Sequence, residues 1–298
     1  MNALHFARRL TAYALTSAWL GAHAQAGSAA ASAPAADKKP FSLSIRPVVL
    51  DSADAAGTAL GVDYDLQYSR AIFGRGGKES TGVGEDTVDP DKLPVLSSTF
   101  VNARLRGTLA SSKEKNPNKL VDLSTDALRE WDTNAGFFSL GGVFKFETDQ
   151  GLDNKQHMFG ISGQYSIPMG TLWPGDVGSL MLNYGSVKPT SNDARKAQVG
   201  NLDSFRRIEM ELTYTLPVNR GKLWKLDFGY RHFQELNPPE AIKASGMDRN
   251  RLGIVRARLT PSDPSQKDWY FIQYSRGSLP FDKATERAVK IGWNLQLE

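Results

Sequence analysis

The chain has 298 residues, 40% of them hydrophobic, and no cysteine. That excludes a disulfide framework, a thiol nucleophile, a cysteine-ligated metal and a lipidated N-terminal cysteine. Its 36 basic and 32 acidic residues give a formal charge of +4 with no basic block, so no nucleic acid is expected as a partner. Outside the N-terminus no apolar run approaches the roughly 20 residues of a membrane helix, which leaves open a barrel whose strands are only half apolar.

Met1 to Arg9 ends in two arginines, Leu10 to Ala22 is apolar, and Ala22-His23-Ala24 sets small residues on either side of a free position. A charged start, a short apolar core and an A-x-A end make a secretory signal, so residues 1–24 are expected to be removed on export. Residues 25–40 are rich in Ala, Ser and Pro and read as a disordered lead-in to one domain over residues 41–298.

From Phe41 onward the chain alternates apolar and polar residues, the period of a strand with two unlike faces. The first segment, Phe41 to Leu50, is interrupted by Pro47 and reads as edge-like or bulged. Val62 to Tyr68 follows, then a polar loop from Phe73 to Ser97, then Val101 to Leu109. Ser111 to Asn134 is polar, and Thr125 to Trp131 reads as a short helix. Alternation returns around Phe138, Phe159, Leu180, Ile208, Trp224, Val255 and Tyr270, and closes with Val289, Ile291, Trp293, Leu295 and Leu297. Eleven such segments make an all-β, antiparallel chain. A closed membrane barrel has an even count, so either a twelfth strand lies near Lys119 to Ser124, which we favour, or the Pro47 stretch is not a membrane strand and ten remain.

From Gly185 onward, short and long connections alternate. Trp131, Trp173, Trp224 and Trp269 fall toward one edge, as an interfacial aromatic belt would. In these respects the chain resembles the bacterial outer-membrane β-barrels, over roughly Phe41 to Glu298 and without a signature motif of a specific family. The resemblance implies an up-and-down transmembrane barrel in the outer membrane of a Gram-negative bacterium. Its partners would be outer-membrane lipid, lipopolysaccharide and the outer-membrane assembly machinery. The last strand resembles the assembly signal of that class, but departs from it in ending on Glu298 where an aromatic residue is usual.

With the apolar faces toward lipid, the polar faces line a lumen. The expected lining charges are Asp63, Asp65, Arg104, Arg106, Lys145, Glu209, Glu211, Lys225, Asp227, Arg231, Arg256, Arg258 and Lys290. Neighbouring strands carry opposite signs, which attract side by side. Two readings stay open: ion pairs bracing a sealed interior of a structural or partner-binding barrel, and a charged constriction passing small polar or charged solutes.

A lipid-modifying enzyme ranks third. The histidines after the lead-in, His157 and His232, both have outward parity, and no hydrolase motif accompanies them. Arg206 and His232 are candidates for contact with lipopolysaccharide phosphates. Glu85, Asp86, Asp89 and Asp91 form an acidic loop whose spacing does not match an EF-hand. No catalytic residue, metal site or cofactor is expected.

Overall fold

The computed structural model describes residues 41–52, 58–74, 97–112, 116, 119–133, 136–167, 170, 176–218, 224–259, 269–281 and 286–297. The expected signal and lead-in, the acidic loop, Trp173 and Glu298 lie outside the described residues.

Twelve antiparallel strands close on themselves: β1 (Phe41–Ser52), β2 (Thr58–Gly74), β3 (Ser97–Ala110), β4 (Leu120–Thr133), β5 (Gly136–Asp149), β6 (Lys155–Ile167), β7 (Val177–Ser191), β8 (Phe205–Pro217), β9 (Trp224–Leu236), β10 (Arg249–Leu259), β11 (Trp269–Gly277) and β12 (Glu286–Leu297). Each strand pairs with its sequence neighbours, and β1 pairs with β12 to shut the seam. Closure leaves no unpaired edge, so every stave finds backbone partners without water.

Two short helices fill connections at the end of the barrel opposite the start of β1. They are α1 (Asp193–Val199), capped by the Asn192 side chain, and α2 (Glu240–Ser245). Both stop at a glycine in the left-handed region, Gly200 and Gly246, which only a residue without a Cβ adopts freely.

Two local expectations need correction. Thr125 to Trp131 is not a helix but the body of β4, whose even-numbered residues face the lumen. Its short polar side chains, Ser124, Thr125 and Asp126, mask the alternation that identified the other staves. The favoured twelfth strand is therefore present, beginning at Leu120 and running on past Ser124. Pro47 likewise marks neither an edge nor a bulge. The β1–β2 register runs without a break, while the β1–β12 register passes from Ile45↔Leu295 to Val48↔Gly292 with no pair at Arg46 or Pro47. The missing proline N–H thus falls where the seam makes no ladder bond.

The distribution of polarity is inside-out. Phe159 and Tyr270 expose 70% and 65% of their surface on the outer wall, joined by Leu60, Leu140, Ile161 and Ile272. Arg46, Lys145, Glu147, Asp227, Arg256 and Lys290 are buried inside. A contiguous apolar exterior of this extent suits hydrocarbon and not water.

Candidate channel lumen

Strand parity delivers the charges to the bore. On β8, Arg207, Glu209 and Glu211 alternate with Ile208 and Met210, so one stave turns three charges inward and its apolar residues outward. The expected lining residues Asp63, Asp65, Arg104, Arg106, Lys145, Glu209, Glu211, Asp227, Arg231, Arg256, Arg258 and Lys290 are all buried on the inner face, and Lys225 is half-buried there.

They fall into two groups. The first is carried by β3, β4, β5, β8 and β9. The Arg106 guanidinium donates to both oxygens of Glu211 at 3.1 and 3.0 Å and reaches Asp122 at 2.9 Å. Lys145 Nζ sits 2.6 Å from Glu209, 3.3 Å from Glu147 and 3.6 Å from Asp122. Arg207 binds Glu147 at 2.7 Å and also pairs with Glu209. Arg231 approaches Glu211 at 3.3 Å and Asp122 at 3.5 Å. Four cations thus face four carboxylates, and the group is neutral. Strands β3 and β8 are not neighbours in the wall, so the Arg106–Glu211 pair spans the bore.

The second group is carried by β1–β3 and β9–β12. Arg104 grips Asp65 in a two-pronged bond, Nε to Oδ1 at 2.9 Å and Nη2 to Oδ2 at 2.6 Å. Lys290 meets Asp63 at 3.1 Å, and Thr108 donates to the same carboxylate at 2.6 Å. Arg258 lies 3.1 Å from Asp227. Arg256 donates to the Gln273 side-chain carbonyl at 3.1 and 2.8 Å, and Arg46 donates to that of Asn294 at 3.1 Å. Here the cations Arg46, Arg104, Arg256, Arg258 and Lys290 outnumber the carboxylates Asp63, Asp65 and Asp227 among the buried residues.

Between the groups lies a cavity of about 40 Å³, bordered by Asp63, Thr108, Asp122, Arg231, Gln273 and Lys290. Such a space holds a few water molecules. Toward the end opposite the start of β1 the lining turns apolar. Leu120, Phe233, Leu252 and Ile254 pack with Leu279, which the β11–β12 connection folds inward, and Phe281 packs against them. That return requires Gly277 at φ 134°, where a Cβ would stand 1.8 Å from the Arg251 carbonyl oxygen.

The aromatic belt needs one correction. Trp224 is exposed on the outer wall and Trp131 is half-buried, but Trp269 faces inward, 8% exposed, edge-on to Phe271. The Arg258 and Arg256 guanidinium groups lie 5.1 and 5.9 Å from the centre of its ring. The parity of β11, with Tyr270, Ile272 and Tyr274 outward, already puts Trp269 on the other face; proximity to a turn was the misleading cue. Arg206 and His232 do lie on the outer wall but do not face each other. Arg206 donates to the Tyr184 hydroxyl at 3.2 Å, while His232 stands opposite Arg251 in the β9–β10 ladder.

Beyond the expected set, Arg46, Asp122, Glu147 and Arg207 are also buried on the inner face. Arg46 was hidden by Pro47, and Asp122 by the unassigned start of β4. Glu147 and Arg207 share parity with Lys145 and Glu209, which places them on the same inner face.

No protein-family model matches this sequence, and no curated protein matches it either. Among solved structures, the chain is similar to the NanC porin at a TM-score of 0.45 and 8% identity, covering 86% of this chain and 100% of that one. It is similar to a loop-deleted form of OmpT, an outer membrane protein of Vibrio cholerae, at 0.42 and 10%, covering 86% and 98%. It is also similar to an outer membrane channel from Pseudomonas putida F1, at 0.40 and 13%, covering 89% and 100%.

Proposed function

We propose that this chain is a porin-like outer-membrane channel that passes small polar or charged solutes. The observation that carries the reading is the inverted distribution of polarity, a lipid-type exterior around a bore lined by buried charge. Buried ions are stable when paired or wetted, and a wetted, charged bore conducts. The export pattern of residues 1–24 supports delivery to the outer membrane of a Gram-negative cell. The outward basic residues Arg206, Arg251 and His232 support contact with lipopolysaccharide phosphates at the rim.

The second reading is a structural barrel with a closed lumen. It is favoured by the Arg106–Glu211 pair across the bore and by the apolar group around Leu279. Conductance of the purified barrel in planar bilayers separates the two. Discrete current steps that scale with salt are expected of a channel. Silence across a range of salts and voltages would sink the channel reading and leave the closed barrel.

A further inference from the structure

We propose, resting on the channel reading above, that the inner wall formed by β1 and β9–β12 carries a binding site for a small oxyanion, a carboxylate or a phosphate, centred on Arg46 and Arg256.

Arg46 is 2% exposed, yet among the described residues it makes no ion pair. Among the described residues its one hydrogen bond is Nε to Asn294 Oδ1 at 3.1 Å, and Nη1 is buried with no acceptor there. The carboxylate beside it in the β1–β2 ladder, Asp63, is already held by Lys290 and Thr108. Arg256 is fully buried and similarly under-satisfied. Its Nε and Nη2 share one neutral acceptor, Gln273 Oε1, and its Nη1 stands 3.8 Å from Asp227 Oδ2, too far for a hydrogen bond. Asp227 is itself held by Thr215 at 2.8 Å and lies against Arg258 at 3.1 Å. Asp65 and Asp63 attract Arg46 and Asp227 attracts Arg256, while Arg46 and Arg258 repel Arg256, and Arg256 and Arg46 repel Lys290.

A buried cation short of acceptors is costly, and on this wall the five buried cations share three carboxylates. An oxyanion between Arg46 and Arg256 supplies the missing acceptors, and the planar guanidinium fork suits two oxygens on one centre. Trp269 and Phe271 flank Arg256 and Arg258, with Arg256 5.3 Å from the Phe271 ring centre and Arg258 5.1 Å from that of Trp269, and offer an apolar flank to the body of an organic acid. The opposite wall does not compete, because its eight charges cancel. The excess positive charge on one wall therefore selects anions and holds them there during passage.

The test uses the whole refolded barrel in planar bilayers under a potassium chloride gradient, with inorganic phosphate as the probe. The expected result is an anion-selective reversal potential and a chloride current that phosphate reduces. Arg46→Gln and Arg256→Gln should each weaken the phosphate effect about tenfold or more, the loss of a charge-assisted bond. Gln at position 46 leaves no carboxylate stranded, so assembly, read as heat-modifiable gel mobility, should be retained. Cation selectivity, or a phosphate response unchanged in both variants, overturns the site. If the barrel is silent, the channel reading fails by itself, and the site is judged by tryptophan fluorescence instead. A phosphate-dependent change that vanishes in Trp269→Phe and weakens in Arg46→Gln upholds it; no such change overturns it.

Discussion

Arg106 and Glu211, 105 residues apart in the chain, meet through two parallel hydrogen bonds of 3.1 and 3.0 Å across the bore. Both are buried, so removing one partner leaves a charge that neither water nor a neighbour compensates fully. Arg106→Met should lower the stability of the folded barrel by about 3–5 kcal/mol, and Arg106→Met/Glu211→Met should recover most of that loss. Urea unfolding in detergent micelles or vesicles reads both. The double variant should also conduct more, because the crossing pair is gone.

Two arginines on the same wall should respond oppositely to the same change. Arg104→Gln strands Asp65, which accepts two bonds from Arg104, and should cost about 3–5 kcal/mol. Arg46→Gln removes a buried cation whose only close partner among the described residues is the neutral Asn294, and whose nearest carboxylates, Asp65 and Asp63, are held by other groups, so it should leave the urea midpoint unchanged or raise it. A large loss at position 46 would mean that Arg46 is held by more than Asn294.

The outer wall gives a test that separates a membrane barrel from a soluble one. Ile161 lies midway along β6 and is 56% exposed. On a water-facing surface Ile161→Arg would be close to neutral. Facing hydrocarbon it should cost about 2–4 kcal/mol near the bilayer midplane. Folding titrations into lipid vesicles measure the difference, and neutrality there would contradict the lipid-facing assignment.

The apolar group at one end of the bore acts on conduction through Leu279. Leu279→Asn places an amide among Leu120, Phe233, Leu252 and Ile254, which should wet that stretch and raise single-channel current. Gly277→Ala should displace the whole connection, since its Cβ would collide with the Arg251 backbone. Both variants should conduct more than the parent, and Gly277→Ala should also be less stable. Unchanged currents in both would show that the Leu279 connection is not in the conducting path.

The alternation of the staves by itself determined the architecture: period two fixes which face each residue serves, and an even count follows when a closed barrel pairs every strand antiparallel, seam included. It also determined that Asp65, Arg104, Glu209 and Lys290 point inward. It failed where a local cue outweighed parity. Pro47 read as a break, Thr125 to Trp131 as a helix, and the turn beside Trp269 as an interface, because propensity is local while register is set by the neighbouring strands. What only the tertiary structure decided is which inward charges meet. Arg106 finds Glu211 because barrel closure brings β3 and β8 face to face across the bore, and Arg46 meets the neutral Asn294 while Lys290 binds Asp63 and Arg104 binds Asp65. Such distances depend on strand tilt and on the curvature of the wall, and neither is written in a period of two.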